Sequence, residues 1–264
     1  MIKVKAEDIT KIFPVKNGKG GNDGCVEALG GVNLDIITGE FLALVGPSGC
    51  GKSTFLEILA GLIKPSCGNI FIDGKKVSGS DHDRGIVFQG YALFPWRTVT
   101  ENIAYGLEEK GIPKRTRNEI CKRYISLVGL LGFENHYPYQ LSGGMKQRVA
   151  IARALAYDPD ILLMDEPFAA LDAQTREMLQ SEVLRIWEKT KKTMLFVTHN
   201  IEEAVFLADR IAVMSARPGT IKRIINVPLS RPRFEDFRNS QDFIKMRQEV
   251  GSIVREESKS PTDF

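Results

Sequence analysis

The chain has 264 residues, of which 43% are hydrophobic, 26% charged and 8% aromatic. That length buries an adequate core without disulfides or a structural metal, and the composition excludes a disordered or fibrous protein. Lysine and arginine outnumber aspartate and glutamate by 36 to 33, a bias too mild for a dedicated nucleic-acid surface.

The opening MIKVKAEDIT has neither an apolar core nor a small-residue cleavage site, so no leader peptide is expected. The longest apolar runs, such as Leu127–Phe133, fall far short of a bilayer span. Cys25, Cys50, Cys67 and Cys121 show no C-x-x-C spacing and read as reduced thiols. The expectation is a soluble, cytoplasmic chain that serves a membrane, if at all, from the side.

Strand-like segments run around Val4–Phe13 and Val26–Ile37. Between them, the glycine-rich stretch Lys16–Gly24 is expected to be a flexible loop or hairpin tip. Phe41–Val45 is a short continuous apolar run that ends in Gly-Pro and leads into a helical pattern from Gly51 to Ile63. Such a run suits a strand buried on both faces of a parallel sheet. From Thr98 to Pro159 the pattern is almost wholly helical, with Ile120, Tyr124, Leu127 and Val128 at helical spacing. The strand grammar returns at Ile161–Met164 and Thr193–Thr198, followed by helical patterns at Ala173–Lys189 and Ile201–Ala208. Alternating strands and helices predict an α/β sheet with helices on both faces, interrupted by a helical insertion over about residues 98–159. The tail beyond Pro228 is polar and closes with Phe243, Arg247, Val250 and Val254 on one helical face. That face would pack on the core or on a partner.

Gly46-Pro47-Ser48-Gly49-Cys50-Gly51-Lys52-Ser53-Thr54 fits G-x-x-x-x-G-K-[ST] between a strand and a helix. Glycines let backbone N–H groups curl around phosphate oxygens, and the helix adds its positive end. Lys52 would reach the β- and γ-phosphates, and Ser53 would offer a hydroxyl to Mg²⁺. Ile161–Met164 delivers Asp165 and Glu166 at a strand's carboxyl end, where ligands gather in open α/β sheets. Asp165 would hold Mg²⁺ and Glu166 would act as general base on water. Taken alone, this run reads equally as a strand entering an acidic turn. Leu141-Ser142-Gly143-Gly144-Met145-Lys146-Gln147-Arg148 opens another helix with a capping serine, a further anion-binding helix start. One nucleotide does not need both, so the second site would complete a pocket on another copy.

At these motifs, over about residues 1–225, the chain resembles the ATP-binding cassette (ABC) ATPases. The family's order is kept: Lys52 in the phosphate loop, Gln89 after Ile86-Val87-Phe88, Ser142 in the signature, Asp165-Glu166, Ala170-Leu171-Asp172, then His199. The resemblance implies a P-loop NTPase core of ABC type with an N-terminal antiparallel β subdomain and the helical insertion. The cassette domain would cover 1–230, and a tail with a short helix would cover 231–264. ATP and Mg²⁺ are the implied cofactors. The resemblance places Phe13 against adenine, although a core phenylalanine in a strand is the alternative. Gln89 would sense Mg²⁺ and the attacking water, and His199 would contact the γ-phosphate and help hold Glu166. Ser142, Gly143 and Gly144 would bind ATP held by a second copy, with Asp172 at that dimer interface.

In importers of this family, the segment after Gln89 receives a coupling helix of the permease. Tyr91–Val99, and within it Phe94, Pro95 and Trp96, would make that contact; the alternative is a packed link to the helical insertion. The ALFPW-R-TVTENI string and the later Arg217-Pro218-Gly219, Val227-Pro228-Leu229 and Arg231-Pro232-Arg233 resemble nitrate, sulfonate and taurine importer cassettes. The implied partners are a second cassette, membrane permease subunits and, indirectly, an extracytoplasmic binding protein, with no nucleic acid. The implied location is peripheral, on the cytoplasmic face of the membrane. A soluble cassette protein of translation or DNA repair is the rival, but Lys52 and Leu141 are 89 positions apart, too few for a coiled-coil arm. A P-loop small-molecule kinase does not account for LSGGMKQR.

Overall fold

The computed structural model describes residues 1–15 and 24–258; the remainder of the glycine-rich stretch, 16–23, lies outside the described residues. By its internal contacts the chain forms two compact units, Met1–Asp81 with Leu195–Phe264, and His82–Met194. The first unit begins with β1 (Ile2–Val15), β2 (Gly24–Ile37), β3 (Phe41–Val45), α1 (Lys52–Leu59), β4 (Cys67–Ile72) and β5 (Lys75–Lys76). The second carries β6 (Arg84–Val87), α2 (Val99–Glu109), α3 (Lys114–Leu127), α4 (Gly143–Ala156), β7 (Ile161–Asp165) and α5 (Ala173–Thr190). The chain re-enters the first unit within β8 (Thr193–Val197) and continues through α6 (Ile201–Leu207), β9 (Arg210–Met214), β10 (Ile221–Asn226) and α7 (Gln241–Ser258).

In the first unit, one antiparallel sheet has the order β2-β1-β4-β5. Its inward residues include Ala6, Ile9, Val32, Leu34 and Ile36, all buried. The β1–β2 register shifts between Ala6 and Ile9, where Asp8 takes a left-handed φ of 49°. Gly68 on β4 lies against this bulge, and a Cβ there would collide with the Glu7 and Asp8 carbonyl oxygens. The other strands run β10-β9-β3-β8, with β3 parallel to β9 and β10 antiparallel at the edge. Every residue of β3 is buried, as a strand covered on both faces requires. Phe41 on β3 packs on Phe196 of β8 at 5.9 Å between ring centroids.

In the second unit, β6 and β7 are parallel neighbours. Gly85 lets α4 lie close on β6, since a Cβ there would stand 2.7 Å from the Ala154 carbonyl oxygen. Thr98 and Glu101 form a reciprocal capping box on α2, and Val99, Ile103 and Leu107 make its buried stripe. On α3 the buried positions are Cys121 and Ile125, followed by Val128, whereas Ile120, Tyr124 and Leu127 are half-buried. The inward face is therefore turned one position from the expected one. A cysteine fills the core there as a small hydrophobe, a role its chemistry conceals in a pattern reading. Strand β6 ends at Val87, and Phe88 and Gln89 follow it.

The tail folds back in the first unit. Helix α7 packs on α6 and β9 and buries Phe243, Val250 and Ile253. Among the described residues, no helix is long and apolar enough to cross a membrane.

Candidate functional site

The phosphate-loop glycines have a conformational reason. Gly49 and Gly51 hold φ of 74° and 103°, in the left-handed region. A Cβ on Gly51 would come within 2.7 Å of the Ala28 carbonyl oxygen, and one on Gly46 within 2.8 Å of the Met214 carbonyl oxygen. Gly51 is also the N-cap of α1; no side chain caps that end and no acidic residue stands in its first turn. A helix start without a side-chain cap or an acidic first turn suits an anionic ligand. Lys52 is 5% exposed, and its Nζ donates to the Gly46 carbonyl at 2.9 Å and to that of Pro47 at 2.8 Å. Burial pushes the Cys50 thiol up, against the pull of Lys52, so it stays neutral in the loop. Ser53 is exposed.

The loop is braced from outside its own motif. Arg217 donates through Nε and Nη2 to the Gly49 carbonyl, at 3.2 and 3.0 Å. Gly219 exchanges backbone hydrogen bonds with β2: its N–H reaches the Ala28 carbonyl, and Gly30 N–H reaches its own carbonyl, each at 3.0 Å. A Cβ on Gly219 would collide with the Cys50 carbonyl oxygen. The Arg-Pro-Gly string thus serves as a scaffold for the loop, a role visible once β9 and β3 lie side by side.

Phe13 is 37% exposed on β1, with the Lys11 ammonium 5.0 Å from its ring centroid. It is therefore not a core side chain. His199 follows β8 and is exposed. Its neighbours are fixed: the Thr198 hydroxyl donates to Glu203 at 2.6 Å, and the Asn200 side chain accepts from the Glu202 and Glu203 N–H groups.

The second unit holds the other candidates. Asp165 ends β7, and Glu166 follows with φ of 42°, a left-handed conformation that costs a non-glycine residue about 1 kcal/mol. Both are half-buried. Ser142 caps α4 and accepts from the Met145 N–H at 3.3 Å. A Cβ on Gly144 would stand 2.6 Å from Thr175 Cγ2, so α5 presses directly on this helix start. Asp172 caps α5 and accepts from the Thr175 N–H at 2.9 Å. That bond holds its carboxyl below the ordinary range.

Gln89 is exposed, and the segment after it is rigidly built. Tyr91 and Ala92 take φ of 59° and 47°, and Arg153 of α4 donates to both carbonyls. Asn102, wholly buried on α2, donates to the carbonyls of Phe94, Arg97 and Thr98 and accepts from the Phe94 N–H. Phe94 packs on Tyr105 in a tilted pair with ring centroids 4.7 Å apart, and Trp96 beside it is 71% exposed. The tryptophan is thus a solvent-facing ring on a fixed loop, while Phe94 links that loop to α2.

A model of the family described as ABC transporter matches residues 29–169, more than half of the chain. The chain belongs to the ABC transporter family. It is the ATP-binding cassette of that family, an ATPase. Among curated relatives, it is 55% identical over 256 residues to an uncharacterized ABC transporter ATP-binding protein of Methanocaldococcus jannaschii, covering 97% of this chain and 92% of that one. It is 46% identical over 262 residues to a nitrate import ATP-binding protein of Synechocystis, covering 97% and 96%. A solved dimeric ATP-binding cassette in a post-hydrolysis state with ADP and inorganic phosphate matches 86% of this chain and 100% of its own, at 37% identity and a TM-score of 0.73.

Among the described residues of the cassette, no group of three or more His, Cys, Asp or Glu could cage a metal ion. Each unit carries one hard oxygen donor of the kind Mg²⁺ takes, the Ser53 hydroxyl on α1 in the first and the Asp165 carboxylate ending β7 in the second.

Proposed function

We propose that this cassette is the energy-supplying subunit of a membrane importer for a small anion of the nitrate, sulfonate or taurine type. The observation that carries the reading is the build of the second unit. The exposed Trp96 loop and the start of α4 are tied together through Tyr91, Asn102 and Arg153. A Cβ on Gly143 would stand 3.1 Å from the Tyr91 hydroxyl, and Arg153 further along the same helix grips the Tyr91 and Ala92 carbonyls. An event at the Ser142 end of α4 therefore reaches a ring that faces outward. The nitrate-importing relative supports the class of cargo.

In this reading, Gly46–Thr54 wraps the phosphates of ATP, Lys52 reaches its β- and γ-phosphates, and Phe13 stacks on adenine. Mg²⁺, held by Ser53 and Asp165 with Gln89 near, would offset charge on the phosphate oxygens. Glu166 takes the proton of the attacking water, and His199 orients that water and the γ-phosphate. Ser142, Gly143 and Gly144 of a second copy complete the pocket, with Asp172 at the same interface. ATP closes the dimer only through its different affinity for the closed and open states, and a near-complete shift needs roughly 5 kcal/mol of that difference. Tyr91–Val99 docks on the permease at the cytoplasmic face of the membrane, and a binding protein outside the cytoplasm delivers the cargo.

The test is reconstitution in liposomes with a permease that co-purifies with this chain and a binding protein for each anion. ATP hydrolysis should rise on adding nitrate, an alkanesulfonate or taurine, and Trp96→Ala should abolish transport while sparing basal hydrolysis. Unchanged transport by Trp96→Ala moves the docking surface elsewhere, and no response to any of the three anions removes the proposed cargo class.

A further inference from the structure

Helix α6 is seven residues long and begins two residues after His199. A helix of that length is marginal by itself, and its last carbonyls have no partner within it. The tail supplies those partners. Arg233 is 4% exposed, and its Nη1 donates to the carbonyls of Val205, Phe206 and Ala208 at 3.0, 2.9 and 2.8 Å. Its Nη2 donates to the Leu229 carbonyl at 3.1 Å. Arg231 takes the Leu207 carbonyl at 2.7 Å and pairs with Asp209. The Arg238 guanidinium lies 3.9 Å from the Phe206 ring centroid and donates to Glu202 at 3.2 Å. Three cationic side chains thus gather on α6, two of them at its negative end, where they are favoured.

The other end of α6 is locked to the histidine loop. Asn200 caps it, Glu203 accepts from the Thr198 hydroxyl, and that oxygen accepts from the Asn200 N–H at 3.0 Å. His199 lies between two residues held by α6, so its placement follows the helix. On the far side, His199 and Asn200 share an open cleft with Arg247, Gly251 and Arg255 of α7.

We propose that Arg233 is a positioning residue for His199. By holding the carbonyl end of α6, the tail beyond residue 230 sets where the imidazole is presented for hydrolysis. The inference rests on the reading that His199 meets the γ-phosphate. It gives the Arg231-Pro232-Arg233 string a task that ATP contact alone does not assign to it.

The test uses the full chain with Arg233→Ala, Arg233→Lys, Arg238→Gln and His199→Ala, read by steady-state hydrolysis and by binding of trinitrophenyl-ATP. Arg233→Ala should lower kcat roughly tenfold with KM and analogue affinity changed less than about twofold. Arg233→Lys should fall between, and Arg238→Gln should lose about threefold in kcat. In a His199→Ala background, Arg233→Ala should cost nothing further, because coupled residues are not additive. Wild-type kcat in Arg233→Ala overturns the proposal, as does a full additional loss in the His199→Ala background, which marks a role in stability alone. If Arg233→Ala does not fold, Arg238→Gln, which spares the buried carbonyl bonds, decides by the same two criteria. Wild-type hydrolysis by His199→Ala overturns the role of His199 and the proposal with it; a slow His199→Ala beside a fast Arg233→Ala overturns the proposal alone.

Discussion

Arg153 of α4 donates to the Ala92 carbonyl at 2.6 Å and to the Tyr91 carbonyl at 3.1 Å. Both acceptors belong to residues in left-handed conformations, which the guanidinium holds in place. Arg153→Ala should destabilise the protein by about 2 kcal/mol, since two carbonyls, that of Tyr91 part-buried, lose a charged donor. Urea unfolding measures the loss, and Arg153→Lys should recover part of it. Transport should fall more than trinitrophenyl-ATP affinity does. Equal loss of both would mean that the contact supports the fold and not the connection between α4 and the Trp96 loop.

The two left-handed glycines of the phosphate loop should respond differently to alanine. At Gly49, the nearest atom to a new Cβ is a flexible end, Arg217 Nη2 at 3.4 Å, so the cost is the backbone strain of about 1 kcal/mol. At Gly51, the Cβ meets the Ala28 carbonyl at 2.7 Å, and the loop has to move. Gly51→Ala should abolish nucleotide binding, whereas Gly49→Ala should weaken it. Titration with a fluorescent nucleotide distinguishes the two, and equal affinities would show that the loop adapts.

Glu166→Gln removes the carboxylate proposed as base while keeping its shape. Hydrolysis should drop by roughly 10²–10⁴-fold with ATP still bound, the loss typical of a general base. Light scattering should then detect a dimer in ATP that does not decay. Hydrolysis near the wild-type rate would place the base elsewhere.

Gln147 on α4 is fully buried, and no described residue gives its amide a hydrogen bond. An unmet amide in the interior is costly, so Gln147→Met should raise stability by about 1 kcal/mol. Thermal melting reads that gain. A loss of stability instead would show that the amide has a partner, such as a buried water.

Burial pushes the Cys121 thiol from its ordinary value of 9.0 up to about 11, against the pull of Arg117. Below pH 9 the thiol is neutral in folded and unfolded chains alike. As pH rises from about 9 to about 11, the unfolded chain ionises there and the folded chain does not, so stability is lost, by at most about 2–3 kcal/mol. Melting curves across that range should flatten in Cys121→Ala relative to the wild type. Identical slopes would remove Cys121 from the alkaline loss.

Much of this cassette is legible along the chain because its motifs are local. The Phe41–Val45 strand, the loop ending at Lys52 and the Ser142 cap each depend on neighbours a few residues away. Strand type, turn conformation and capping are set at that range. The short strands β4 and β5 and the edge pair β9–β10 are less legible, since a strand is defined by a partner distant in sequence. The α3 face shows the same limit, as Cys121 and not Ile120 turned inward.

The order of the phosphate loop, signature and acidic strand end was determined by the linear sequence alone. Tertiary structure decided which backbone carbonyls the arginines reach. Arg217 on Gly49, Arg153 on Tyr91 and Ala92, and Arg233 on the end of α6 all spend their donors on backbone carbonyls far along the chain. A carbonyl is the same in every residue, so nothing in the sequence marks which one a guanidinium will reach. Only the folded path of β9, α4 and the tail brings those groups within hydrogen-bond distance.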